Sequence, residues 1–254
     1  MARHHHLLPI AVALTGVGFL SLMDAFMKEA ALAAGAYSAG FFRSLIGAGI
    51  GIPTWLTRGG RWPGPRALRF HLIRGVVSAF MALSFFYAIT KLPLAETIAI
   101  SFIAPVISLY LAALILKESI HRQAIIAALL GLAGTVVIIA GRLGSGQVSD
   151  DTGLGVAAIL FSAVLYAYNP VLARQQALVA GPLEIASFHS GMGALVLGLA
   201  APWFLSLPDG ETFTSILAAS ILTVCGAIAL AWAYAREQAQ VLVPLEYSGF
   251  LWAA

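Results

Sequence analysis

Asp24, Arg43, Glu96 and Glu246 lie inside or at the edges of long apolar runs, and they are the strongest chemical signal in this 254-residue sequence. A charge at mid-bilayer costs about 2.5–3.5 kcal/mol on insertion scales, so each such residue must face a cavity or a partner. Asp24 falls near the outer end of a first apolar run, Arg43 in the outer half of a second, and Glu96 at the start of a fourth on the same side. Two chemistries fit this set. Either the three neutralise one another and lock helices together, or they bind a zwitterion, with a carboxylate going to Arg43 and an amine to Asp24 or Glu96.

Glu246 stands two residues after Pro244 and is followed by Tyr247. Proline removes a backbone donor and frees a carbonyl one turn back, so Pro244, and Pro105 in the fourth run, are candidate helix breaks where a substrate meets the backbone. Tyr87, Trp232 and Tyr234 are candidate cavity walls, and Asn169 before Pro170 offers an uncharged hydrogen-bonding group. His189 is either proton-sensitive or a bonded bundle histidine. No catalytic residues are expected, because HExxH, paired-Asp and Ser/His patterns are absent from the sequence. No metal site or cofactor is expected either, since the His4–His6 run is too terminal for a ligand set. An intramembrane enzyme is accordingly the weakest function class.

The elements that must position these residues follow from composition. The sequence is 60% hydrophobic and 10% charged, whereas a soluble domain has about a quarter of its residues charged. This is a membrane-protein composition, and the lone Cys225 excludes a disulfide scaffold. Charge-free or nearly charge-free runs span 7–23, 44–57, 75–90, 97–116, 124–141, 152–173, 185–208, 212–235 and 239–254. A bilayer core about 30 Å thick needs roughly 20 apolar residues per helix, and the second and third runs reach that length if Arg43 and Arg74 count as intramembrane. Continuous rather than alternating hydrophobicity selects helix over barrel strand, giving nine helical segments. The basic N-terminus before the first run also resembles a signal peptide, but eight further runs favour an uncleaved helix.

Loop charges orient the bundle. With the N-terminus cytoplasmic, nine Lys or Arg residues fall inside and three outside. The basic cluster Arg58–Arg69 is then a topology signal beside anionic lipid, not a nucleic-acid site. At an offset of 146, Ala34-Gly35…Phe42-Arg43-Ser44…Gly47-Ala48 aligns with Ala180-Gly181…Phe188-His189-Ser190…Gly193-Ala194, six identities in fifteen positions. A five-span unit has an odd number of crossings, so its copy enters from the other side, as in inverted-repeat transporters. The expected units are residues 1–142 and 152–254. By the repeat, the second would close about 34 residues beyond Ala254, so the chain is expected to be truncated within the fourth helix of that unit.

The stretch from Arg74-Gly-Val-Val-Ser-Ala-Phe-Met to Leu94-Ala-Glu96, continuing through Ser101-Phe-Ile-Ala-Pro105, resembles the third and fourth helices of the drug/metabolite transporter superfamily, EamA type. Ala231-Trp-Ala-Tyr-Ala-Arg236 with Pro244-Leu-Glu-Tyr247 is similar to its eighth and ninth. The resemblance implies an all-α polytopic membrane protein of two inverted five-helix repeats, a ten-helix plan of which about nine helices are present. It further implies a permease moving small metabolites or drugs by alternating access, an inactive or accessory fragment of one being the alternative. The expected partners are the lipid bilayer, a small-molecule substrate, a proton or counter-substrate, and a second copy of the chain in a homodimer. The expected place is the bacterial cytoplasmic (inner) membrane. Lys117 stands where the family often has Gly, a departure expected to be without consequence.

Overall fold

The computed structural model describes residues 3–101, 103–117 and 150–249, with isolated helical positions at 122–123, 125–126, 129–130 and 133. The span expected at 124–141, the unit boundary at 142 and the residues from 250 onward lie wholly or largely outside the described residues.

Within the described residues the chain is built of helices: α1 (Arg3–Ala34), α2 (Ala36–Thr57), α3 (Pro65–Lys91), α4 (Leu94–Ser101), α5 (Ile103–Leu111), a π-helical turn (Ala112–Leu116), α6 (Asp150–Ala177), α7 (Pro182–Gly198), α8 (Ala201–Phe204), α9 (Gly210–Arg236), α10 (Ala239–Leu242) and a 3₁₀ segment (Val243–Ser248). Prolines at the first turns of α3 and α7 start those helices where no backbone donor is needed. Five segments are long and apolar enough to cross a membrane: Leu7–Ala34, Pro65–Lys91, Glu96–Leu116, Gly153–Ala177 and Gly210–Arg236. Large apolar side chains such as Leu22, Phe80, Tyr110 and Val164 are exposed along them, as a lipid-facing surface requires. The molecule is an all-α polytopic membrane protein.

Four boundaries differ from the run-by-run expectation. The first helix extends past its charge-free run 7–23 as far as Ala34, because the Ala-rich stretch 30–34 is strongly helix-forming and Asp24 and Lys28 sit one turn apart. Asp24 is therefore an interior residue of α1, not a terminal one. The run 185–208 is not one span: α7 stops at Gly198, and a short α8 restarts with Pro202 in its first turn. The fourth run ends in a π-helical turn, and Lys117 follows with φ 56°. That left-handed conformation suits glycine and costs other residues about 1–2 kcal/mol, so the Lys117 departure does carry a conformational consequence. Finally, the segment from Ala239 is α-helical for four residues only. Pro244 cannot donate to the carbonyl one turn back, and the chain tightens into the 3₁₀ segment at that point.

Three pairings dominate the packing: α1 on α9, α3 on α6, and α2 on α7. Small residues allow the last. A Cβ at Gly47 would stand 2.8 Å from Ser190 Oγ, and one at Gly193 would stand 2.8 Å from Ser44 Oγ. The two contacts are reciprocal, since Ser44 and Ser190, like Gly47 and Gly193, are separated by the same interval in the sequence. Close crossings of this kind replace the hydrophobic effect, which does not drive helix association in lipid.

Two outcomes follow from this packing and capping. A Cβ at Gly75 would stand 2.4 Å from Met192 Cβ, whereas one at Gly49 meets nothing within 4 Å. Gly75→Ala is expected to lower the unfolding temperature of the detergent-solubilised chain through overpacking of about 1–3 kcal/mol, while Gly49→Ala leaves it unchanged or raises it slightly. Equal behaviour of the two variants would show that α3 and α7 do not approach as described. Outside the membrane, Asp209 Oδ1 accepts from the Thr212 backbone N at 2.8 Å and caps α9. That bond holds the Asp209 carboxyl below its ordinary value of 3.8. A depressed folded-state value contributes stability above the unfolded value and loses it as pH falls through the folded one. Unfolding scans of wild type and Asp209→Ala should therefore differ at neutral pH and converge as the pH falls through the lowered folded-state value.

Candidate functional site

A cavity of about 220 Å³ lies among α1, α2, α3, α4, α6, α7, α9 and the 3₁₀ segment. Its polar lining includes Asp24, Arg43, Arg74, Ser78, Tyr166, Asn169, His189, Thr223, Tyr234 and Glu246, and Phe85, Phe86 and Met81 are among its apolar walls. Each polar side chain is carried by a helix whose other faces are committed to neighbours or lipid, so the charges converge on the one shared space.

Arg43 is 7% exposed. Its Nη1 donates to Thr223 Oγ1 at 3.0 Å, its guanidinium lies 5.3 Å from the centre of the Phe86 ring, and its Nε is buried with no hydrogen-bond partner. Ser220 Oγ donates to the Arg43 carbonyl at 3.1 Å, pinning α9 to α2 at this level. Asp24 is within Coulombic reach of Arg43. Direct contact is absent: among the described residues no carboxylate lies within 4.0 Å of the Arg43 or the Arg74 guanidinium.

Arg74 heads a hydrogen-bonded chain running toward the α6–α7 connection. Its Nε donates to Asn169 Oδ1 at 3.0 Å and its Nη1 to Gln176 Oε1 at 2.6 Å, and Ser78 Oγ also donates to Asn169 Oδ1, at 3.3 Å. Gln176 Nε2 meets His71 Nδ1 at 2.6 Å, and His71 Nε2 meets Glu184 Oε1 at 2.9 Å. The proton positions in this chain are fixed by exclusion. Arg74 can only donate, so the Gln176 oxygen faces it and the Gln176 NH₂ faces His71. His71 Nδ1 must then accept, which leaves the ring proton on Nε2, donated to Glu184. Phe188 stacks on the imidazole with ring centres 4.3 Å apart and holds its plane.

Glu246 sits where α10 gives way to the 3₁₀ segment. Tyr234 OH donates to Glu246 Oε1 at 3.2 Å, Tyr166 lines the cavity beside this carboxyl group, and Glu246 Oε2 is buried without a partner. Arg174 Nη1 donates to the Tyr234 carbonyl, tying α6 to α9 beside it. His189 Nδ1 is likewise buried and unpartnered at the cavity wall.

Of the residues singled out from sequence, Asp24, Arg43, Asn169, Tyr234 and Glu246 meet in this cavity, and Pro244 lies in the 3₁₀ segment beside it. Tyr87, Glu96, Trp232 and Pro105 do not line it. Tyr87 follows the buried Phe86 and is turned about 100° away, leaving it 37% exposed. Trp232 is covered by the Arg236 guanidinium, 3.8 Å from the ring centre. Glu96 lies in the first turn of α4, within electrostatic reach of Lys28. Pro105 falls in the first turn of α5. The Tyr247 side chain lies outside the described set. Sequence reasoning counted Arg74 as intramembrane without placing it in the site, and left His71, Gln176, Glu184 and Tyr166 out as well. Arg74 interrupts its apolar run as Arg43 does, so the same desolvation argument would have found it. Among the described residues no cluster of three or more His, Cys, Asp or Glu is placed to hold a metal ion.

Comparison with known proteins gives a consistent set of likenesses. The model of the EamA-like transporter family matches residues 7–140. An uncharacterized transporter of Helicobacter pylori is 31% identical over 192 residues, 70% of this chain and 61% of the relative, so the chain spans about three fifths of that protein's length. The pseudopaline exporter of Pseudomonas aeruginosa is 26% identical over 238 residues, 92% of this chain and 81% of the relative. A solved crystal structure superposes with a TM-score of 0.78 at 22% identity, covering 96% of this chain and 86% of that one, which shows a shared fold.

Gln176→Leu tests the chain of bonds. It leaves Arg74 Nη1 and His71 Nδ1 each without a partner, and a buried group so orphaned costs about 1–3 kcal/mol. The unfolding temperature should fall, and pairing the change with His71→Leu should recover part of the loss because the orphaned acceptor is gone. Strict additivity of the two substitutions would mean the side chains are not coupled.

Proposed function

This chain belongs to the EamA-like transporter family, and from that premise we propose that it moves small organic metabolites or drugs across the bilayer by alternating access through the Asp24–Arg43–Glu246 cavity. The observation that carries this reading is the convergence of two arginines, an aspartate and a glutamate from four different elements on one space inside an apolar bundle. Charges at that depth are costly, and a cavity serving a polar substrate is what gives them a use. Substrate contacts are assigned to Asp24, Arg43, Asn169, Tyr234 and Glu246.

Residues 1–142 and 152–254 are proposed as two inverted repeats. The reciprocal Ser44–Gly193 and Ser190–Gly47 contacts support it, as do the matching pairings of α1 on α9 and of α3 on α6. A site between such halves opens to one side and then the other as they rock. The 3₁₀ segment at Glu246 supplies the interrupted helix that these sites use for backbone contacts. The membrane is proposed to be the cytoplasmic membrane of a bacterium with the N-terminus inside, on the Lys/Arg distribution. Outward movement is the proposed direction, by analogy with the Pseudomonas exporter.

Proteoliposomes holding the purified chain, loaded with a panel of labelled amino acids, organic acids, amines and drugs, provide the test. Movement of at least one compound is expected, reduced about 10-fold or more by Glu246→Gln and by Arg43→Ala, since each loses a charged hydrogen-bonding group. Tyr110→Phe, at a lipid-exposed position, should transport as wild type does. Unchanged transport in both cavity variants would remove this cavity from the pathway.

A further inference from the structure

We propose that Arg74 is the residue that anchors the substrate's anionic group, a carboxylate gripped by the Nη1–Nη2 edge of its guanidinium, an assignment that rests on the transport reading above. The two cavity arginines are compensated differently. Arg43 has Asp24 within Coulombic reach and an aromatic ring against its guanidinium. Arg74 has neither. Its hydrogen bonds go to the neutral oxygens of Asn169 and Gln176, and no carboxylate of the described residues lies within 4.0 Å.

Neutral acceptors fix a guanidinium without cancelling its charge. A buried cation held this way retains its attraction for an incoming anion, whereas a paired one has already spent it. Arginine carries five N–H donors. The bonds to Asn169 and Gln176 use one on Nε and one on Nη1, leaving a second hydrogen on Nη1 and both on Nη2. One from each nitrogen forms the parallel fork that matches a carboxylate. The fork's orientation is set in turn by the Gln176–His71–Glu184 chain, which holds the Gln176 amide in one sense. Gln176, His71 and Asn169 are thus positioning residues for Arg74.

The rest of the cavity argues for one negative charge on the substrate. Asp24 and Glu246 share the space and oppose a second anionic group, which disfavours phosphate esters. Tyr234 is within electrostatic reach of Arg74 and donates to Glu246, so the carboxylate site and the unpartnered Glu246 Oε2 flank a common side chain. A carboxylate at Arg74 is therefore compatible with a donor group on the same molecule reaching Glu246.

The test pairs acids with their amides: leucine with leucinamide, N-acetylleucine with N-acetylleucinamide, and hexanoate with hexanamide, with phosphoethanolamine as the phosphate arm. Binding to the purified chain is read from ligand-dependent shifts in thermal unfolding, and the same labelled probes are assayed in proteoliposomes. At least one acid should bind about 10- to 100-fold more tightly than its amide, the range expected for charge-assisted bonds. Arg74→Gln should abolish that preference. Arg74→Lys keeps the charge without the fork and should retain a weakened preference, which separates the anchor's role from a folding defect. Asn169→Ala should weaken acid binding while keeping the preference for acid over amide, a readout that mere destabilisation would not produce. Amides binding as well as acids, phosphoethanolamine binding more tightly than every acid, or an acid preference surviving in Arg74→Gln would each overturn the assignment. Transport of amides or amines through the cavity with no acid preference would sink the Arg74 proposal and leave the transport reading standing. If no probe binds or moves, and the wider panel moves nothing either, both fall together.

Discussion

A guanidinium drawn out of water into a helix bundle keeps its charge, and the polar interior of this protein is organised by that constraint on Arg43 and Arg74. Desolvating an ion costs several kcal/mol even after relaxation, so the surrounding sequence must supply acceptors at fixed positions. Thr223, Asn169 and Gln176 do so, from α9 and α6, and they thereby set how α2 and α3 stand against the second half of the described chain. Remove the arginines, and nothing obliges polar groups from these helices to face the same space.

Close packing makes the arrangement affordable. The Ser44, Gly47, Ser190 and Gly193 contacts bring α2 and α7 together with almost no side chain between them. Arg43 and His189 are carried by the same two helices, one residue before Ser44 and Ser190, and both line the cavity beside that crossing. The small residues and the charged ones are therefore parts of one device. The first group fixes the distance between the halves, and the second uses the space that remains.

The helices were legible in the sequence because apolar runs of bilayer length have few other structures open to them. Their ends were less so. The charge at Asp24 closes the first apolar run, yet helix propensity carried α1 on to Ala34. Half of the cavity was legible from the cost of burying charge, which singled out Asp24, Arg43 and Glu246. Aromatic type alone misled at Tyr87 and Trp232, since a helix turns about 100° per residue and only its period relative to a known buried neighbour tells which ring faces inward. The Gln176–His71–Glu184 chain was illegible for a different reason. Gln176 and Glu184 sit at helix ends and His71 in the second turn of α3, where polar residues are ordinary, and only the tertiary approach of α3 to α6 and α7 joins them.

Two arginines of equal formal charge in one cavity need not be equivalent, and their acceptors decide the difference. A carboxylate near a guanidinium favours a closed, self-satisfied interior, because ligand binding there must compete with the resident anion. Amide oxygens satisfy hydrogen bonds without that competition, and the cost of the uncancelled charge is carried by the rest of the fold until a ligand arrives. A transporter has reason to contain both kinds. Arg43 keeps its resident partners whether or not the cavity holds a ligand, whereas Arg74, held by neutral oxygens, is the guanidinium whose surroundings an anion would improve. Because α3 cannot move against α6 without altering the bonds to Asn169 and Gln176, any displacement of one helix along the other changes how the Arg74 guanidinium is held.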